Sequence, residues 1–176
     1  ESVQGPQVSA TTHYLSLDSL GRARLISGPG DELIYVDYDD AGRETRTVLQ
    51  SGVEQVVRED VTKGTVYSYS VAGGQIVSLA RQLFDLAGRS QKEETLYSTA
   101  GVSETDPSSG GQSYTTYYSY DSLGRPRTVT GPADVVQTDY DAVGRPVRVY
   151  GGVSESELFL LGETQYDFNG VGDGNV

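Results

Sequence analysis

The sequence contains no cysteine, no methionine and no tryptophan. Without cysteine there is no disulfide, no thiolate metal ligand and no thiol nucleophile. Without methionine, residue 1 is not a translational start, and the chain is expected to be a processed product or a piece of something longer. Positive charge is scarce: 13 Lys and Arg face 25 Asp and Glu, a formal net charge of −12. With a pI near 4.3, such a field repels phosphate backbones and anionic lipid, so neither nucleic-acid binding nor membrane insertion is expected. No apolar run approaches the roughly 18 residues of a membrane-spanning helix, and no signal peptide is legible. The single histidine, His13, has no thiol partner and no serine in a nucleophile elbow, so a catalytic triad is not expected and His13 reads as a surface residue.

Glycine and tyrosine are plentiful instead, 22 and 13 of 176 residues, against only 3 Phe. That balance favours many turns joined by strands bearing Tyr and Val. The length suits one domain with a core, or a row of small units sharing one. Helix evidence is thin, because Gly and β-branched residues interrupt any 3.6-residue period. Leu158-Phe159-Leu160-Leu161 fits a buried strand or a single turn. The fold class read from the sequence is all-β.

One phrase recurs along the chain. It stands as Leu17-Asp18-x-x-Gly21-Arg22, Tyr38-Asp39-x-x-Gly42-Arg43, Phe84-Asp85-x-x-Gly88-Arg89, Tyr120-Asp121-x-x-Gly124-Arg125 and Tyr140-Asp141-x-x-Gly144-Arg145. Two degraded copies are Tyr69-Ser70-x-x-Gly73-Gly74 and Tyr166-Asp167-x-x-Gly170-Val171. Such periodicity marks a building unit rather than a site. Asp opens a four-residue turn because its carboxylate accepts the backbone N–H two residues on. Gly supplies the left-handed residue that closes the turn in a bulge and restores strand twist. The aromatic before Asp is expected to close the last strand pair. The Arg after Gly is expected across from it, its guanidinium on that ring or reaching the Asp. The expected organisation is one array over residues 1–176, with about seven hairpin units near 17–22, 38–43, 69–74, 84–89, 120–125, 140–145 and 166–171. Stretches 101–113 and 152–163 are expected insertions.

On these residues the chain resembles the YD-repeat, or Rhs-repeat, family, known from bacterial toxin complexes, polymorphic toxins and teneurins. The resemblance covers roughly residues 14–170. It implies strand-turn-strand units laid side by side into a continuous, spiralling antiparallel sheet. In family members that sheet closes into a hollow shell, and some shells hold a toxic C-terminal segment released by a built-in aspartyl autoprotease. The chain has far fewer repeats than such shells and no cleavage core. Asp106-Pro107-x-x-Gly110-Gly111 lies mid-array with its glycines misplaced and reads as a flexible loop. Encapsulation and self-cleavage are therefore not expected of it.

The chemistry expected is structural. Each recurring Asp has a turn to cap, and a catalytic acid would not be copied at every turn, so no catalytic residue and no enzyme activity are expected. The Arg residues that cluster after the turns (Arg22 and Arg24, Arg43 and Arg46, Arg125 and Arg127, Arg145 and Arg148) read as ladders against Asp and Tyr. No cofactor is expected. One alternative is calcium at Asp167, Asn169, Asp173 and Asn175, which offer oxygen between glycines; the plainer reading there is a degraded repeat and a connector. The main functional reading is an extracellular or cell-surface scaffold, a fibre protomer or a segment of a larger β-shell, whose partners are copies of itself or adjoining repeats. Exposed sheet edges favour such assembly. The alternative is a module binding glycans or a cell surface through Tyr114, Tyr117, Tyr118 and Tyr120. Alternation puts Tyr114, Tyr118 and Tyr120 on one face and Tyr117 on the other, and core is the favoured reading of that set. A fragment of a toxin-encapsulating shell is held in reserve.

Overall fold

The computed structural model describes residues 12–28 and 32–166. Among these residues thirteen strands follow one another: β1 His13–Leu17, β2 Ala23–Ser27, β3 Leu33–Asp39, β4 Glu44–Val48, β5 Glu54–Asp60, β6 Thr65–Ala72 and β7 Gln75–Phe84. Then come β8 Ser90–Ser98, β9 Gln112–Tyr120, β10 Pro126–Thr130, β11 Val135–Tyr140, β12 Pro146–Gly152 and β13 Leu158–Glu163. Their hydrogen-bonded order is the chain order, an antiparallel meander. No helix occurs among the described residues. The all-β hairpin sheet indicated by composition and turn chemistry is what forms.

Contacts divide the chain into two compact units, Glu1–Ala80 with Ser98–Gly111, and Arg81–Tyr97 with Gln112–Val176. The first unit holds most of the core: Val56, Tyr67, Tyr69, Val71, Ile76 and Leu79 are buried. In β6 the buried positions alternate, Tyr67, Tyr69 and Val71, as a strand with one covered face requires. Val56 lies opposite Tyr69 in register. Loop 99–111 of the same unit lies on this face, with Pro107 buried and Glu104 held by Arg46 and Arg58. Among the described residues of the second unit the buried hydrophobics are Leu96 and Val135.

Several expectations about organisation change. The stretch 152–163 is no insertion, since Leu158–Glu163 forms β13 and pairs with β12 from Gly152↔Leu158 to Arg148↔Glu163. Nor is that strand buried: Phe159, Leu160 and Leu161 are 62, 50 and 58% exposed. In the copy at 69–74 the strand runs on through Ala72, with Tyr69 buried mid-strand. Lacking Asp, it uses two left-handed glycines, Gly73 and Gly74 at φ 59 and 74, as a tight two-residue hairpin turn. Residues 112 and 113 belong to β9 rather than to a loop, and the preceding loop, expected to be flexible, is docked on the sheet. The last copy has only Tyr166 among the described residues, so Asp167, Asn169, Asp173 and Asn175 lie outside them.

Candidate functional site

Four copies of the phrase build the same turn. The amide of Gly21, Gly88, Gly124 or Gly144 donates to the carbonyl of its Asp at 2.9–3.1 Å, and each Asp amide donates to the carbonyl of its Arg at 2.8–2.9 Å. The four glycines are left-handed, at φ 79, 77, 80 and 95. Each Asp Oδ1 accepts two backbone N–H groups, two and four residues on, at 2.8–3.0 Å. Each Oδ2 accepts from Nε of its own Arg at 2.6–2.7 Å. The backbone N–H of Arg22, Arg89 and Arg125 is the chief cause holding Asp18, Asp85 and Asp121 below the ordinary carboxyl range. At Asp141 desolvation pushes upward, and the hydrogen bonds from Arg145 outweigh it. Charged, acceptor-only carboxylates are what this geometry needs.

The Arg does not lie on the aromatic of its own turn. The guanidinium carbon of Arg22 sits 4.1 Å from the ring centre of Tyr38, Arg89 4.5 Å from Tyr120, Arg125 4.5 Å from Tyr140 and Arg145 4.4 Å from Tyr166. In each of the first three cases the Arg precedes a strand whose next neighbour carries that Tyr at its last position or the one before it. Start and end therefore lie one strand spacing apart, about 4.8 Å. The Nε bond to its own Asp aims the guanidinium across that gap. The Tyr hydroxyl returns the link by donating to the carbonyl just after the Arg: Tyr38 to Ala23 at 3.1 Å, Tyr120 to Ser90 at 2.8 Å, Tyr140 to Pro126 at 2.8 Å. Each of these three units thus grips the next through one cation–π contact and one hydrogen bond. The rule explains Phe84, which has no hydroxyl: the copy before it carries Gly74 where Arg would stand.

The second copy departs. Asp39 accepts only the Gly42 amide (2.9 Å), and a β-carbon at Gly42 would overlap the Asp39 carboxylate. Arg43, rather than Gly42, takes the left-handed conformation, at φ 50, and its guanidinium pairs with Glu59 at 3.2 Å. Where the ladder stops, a second charged network begins. Arg46 binds Glu44 at 3.0 Å, Glu104 at 2.7 Å, and Glu54. Arg58 binds Glu44 at 2.6 Å, the Glu104 carbonyl at 2.7 Å and the Tyr69 hydroxyl at 3.1 Å. Burial works against the Arg46 charge, but Glu104, Glu54 and Glu44 more than offset it and raise its pKa. Burial is also the chief cause raising the Tyr69 phenol. Of these residues only Arg46 and Tyr69 stood out in the sequence; Glu104 is 58 positions from Arg46, and no local pattern links them.

The tyrosines proposed for ligand binding are not core. Tyr114 and Tyr117 are 60 and 52% exposed, Tyr118 and Tyr120 half-buried, and the buried tyrosines are Tyr67 and Tyr69. Tyr114 packs against Tyr97 with ring centres 4.9 Å apart. Lys92 lies 5.8 Å from the Tyr117 ring centre. Tyr118 donates to Glu93 at 2.9 Å, and that bond is the main cause raising its pKa. His13 opens β1 and is exposed. Among the described residues no three His, Cys, Asp or Glu side chains are grouped to hold a metal ion.

Geometry of this kind defines a repeat protein of coupled hairpin turns, with its recurring polar residues turned on one another. No protein-family model matches the chain, and no curated protein does either. Its fold is similar to three crystal structures of TcdB2-TccC3. One is TcdB2-TccC3 without its hypervariable C-terminal region, with a TM-score of 0.57 at 14% identity over 88% of this chain. The second is TcdB2-TccC3-TEV, 0.59 at 14% over 92%, and the third TcdB2-TccC3-Cdc42, 0.52 at 15% over 84%. The chain spans only 8–9% of the length of those chains. At that identity the likeness is one of fold.

Proposed function

We propose that the chain is a non-enzymatic structural module of the YD-repeat, or Rhs-repeat, kind, a segment of the β-sheet of a larger shell. The turn-to-turn ladder carries this reading: an Arg whose partners are its own Asp and the next unit's Tyr is a device for joining units. The carboxylates of Asp18, Asp85, Asp121 and Asp141 are each engaged by two amides and one guanidinium. Fold likeness to TcdB2-TccC3 supports a shell over a fibre. The exposed apolar row on β13, Phe159 to Leu161, supports a further strand as partner. The module acts outside the cell, takes no cofactor, and has adjoining repeats as partners. A glycan-binding reading draws support from the exposed Tyr97–Tyr114 pair.

Negative-stain electron microscopy of the native, unfractionated material tests the proposal. Closed hollow particles are expected. Filaments of constant width would replace the shell by a fibre. A glycan array binding wild type but not Tyr114→Ala would establish the adhesive reading.

A further inference from the structure

Loop 99–111 is closed on itself at its base. Gly111 N–H donates to the Ala100 carbonyl at 2.9 Å, and Val102 N–H to the Thr99 carbonyl at 3.0 Å. Three glycines at this neck, Gly101, Gly110 and Gly111, are left-handed at φ 77, 75 and 76. A β-carbon on Gly110 would stand 2.5 Å from the Gly101 carbonyl oxygen, so the two legs touch backbone to backbone. A loop of this length with joined ends is a compact unit of its own, and its neck is built from the residue type that best absorbs large dihedral changes.

The body of the loop is fastened mainly by polar contacts. Glu104 places its carboxylate on Arg46 and its carbonyl on Arg58, both at 2.7 Å. Ser108 Oγ accepts from Lys63 Nζ at 3.1 Å. Pro107 is buried, but solvent-open clefts flank the loop. One of about 300 Å³ lies between residues 105–108 and the sheet at Tyr67, and one of about 460 Å³ between residues 99–105 and Ile76. The sheet's own charges do not depend on the loop: Arg46 keeps Glu44 and Glu54, and Arg58 keeps Glu44 and Tyr69. Removing Glu104 therefore strands no buried cation.

We infer that loop 99–111 is a strap that lifts as a unit about its glycine neck while β4–β6 stay paired, with Glu104 as the latch. Lifting uncovers the apolar row of Val56, Tyr67 and Tyr69, and offers Arg46 and Arg58 to an incoming carboxylate. The strap stands apart from the shell reading and survives its failure.

Hydrogen exchange read by mass spectrometry on the whole chain tests the strap. In wild type, strap amides are expected to exchange faster than those of β5 and β6 under native conditions. Glu104→Gln should speed strap exchange about tenfold, the scale of one lost charge-assisted hydrogen bond, with β5 and β6 unchanged. Should that variant fold poorly, ionic strength serves on wild type: at about 1 M salt the Debye length falls to about 3 Å, and strap exchange should rise alone. Strap and sheet amides exchanging together, or a strap indifferent to salt and to Glu104→Gln, would overturn the inference.

Discussion

If units are joined by Arg onto the following Tyr, then Arg125 and Tyr140 must be energetically coupled while Arg125 and Tyr120 are not. The perturbation is a double-mutant cycle with Arg125→Ala and Tyr140→Leu, beside a second cycle with Arg125→Ala and Tyr120→Leu. Arg125 holds Asp121 at 2.6 Å, lies 4.5 Å from the Tyr140 ring centre, and reaches the Asp141 carbonyl at 3.3 Å. Its side chain is 26% exposed, so the cation–π contact belongs to the partly solvated class, worth about 0.5–1 kcal/mol. Loss of the Asp121 pair appears in both single and double mutants and cancels, leaving a coupling of about 0.5–1 kcal/mol for Tyr140. Tyr140→Phe separates the ring from the hydroxyl: it removes only the 2.8 Å bond to Pro126, which costs about 0.5–1 kcal/mol. Urea unfolding of the four proteins in each cycle reads these values. A coupling near zero with Tyr140, or an equal coupling with Tyr120, would refute the inter-unit ladder.

Three further outcomes follow from the turns. Gly124→Val forces a β-branched residue to φ 80 with Arg89 Nη1 3.0 Å from the new β-carbon and should cost about 1–3 kcal/mol; an unchanged unfolding midpoint would refute the left-handed turn. Arg43→Gly should do the opposite and stabilise by about 0.5–1 kcal/mol, relieving the left-handed Arg at the expense of the half-exposed Glu59 pair, whose worth is small; a clear loss of stability would show that the pair matters more than the strain. Asp18, Asp85, Asp121 and Asp141 have lowered folded pKa values, so their contribution is full above the unfolded value of about 3.9 and is lost as pH falls through the folded one. The thermal midpoint should therefore fall on the acid side of that value. Asp121→Asn should lower stability at neutral pH and flatten the acid decline; parallel pH profiles for the two proteins would refute the assignment.

Local chemistry made the turns legible. Asp121, Leu123, Gly124 and Arg125 meet within five residues, so spacing pointed to the capped turn, its left-handed glycine and an all-β chain, and four of the five full copies build that turn. Even the partner of each Arg left a trace: Tyr stands in copies that follow an Arg-bearing copy, and Phe84 follows Gly74. What spacing does not carry is direction. Whether an Arg turns to its own aromatic or the next is decided by the face on which the bulge leaves it, and that depends on pairing with the neighbouring strand. The copy at 69–74 has the right Tyr and Gly but buries Tyr69, because the first unit's core claims that strand.

Tertiary structure alone decided the rest. Glu104 meets Arg46 across 58 residues and Arg58 across 46, a meeting that follows from where a glycine-necked loop lands on β4 and β5. Covering that face buries Tyr67 and Tyr69, while β13, with a comparable run of apolar residues, stays exposed. The unit and its repetition are written locally, since hydrogen bonds over four residues join near neighbours along the chain. Burial and long-range ion pairing were left to the fold, because both depend on which distant segment comes to lie over a given face.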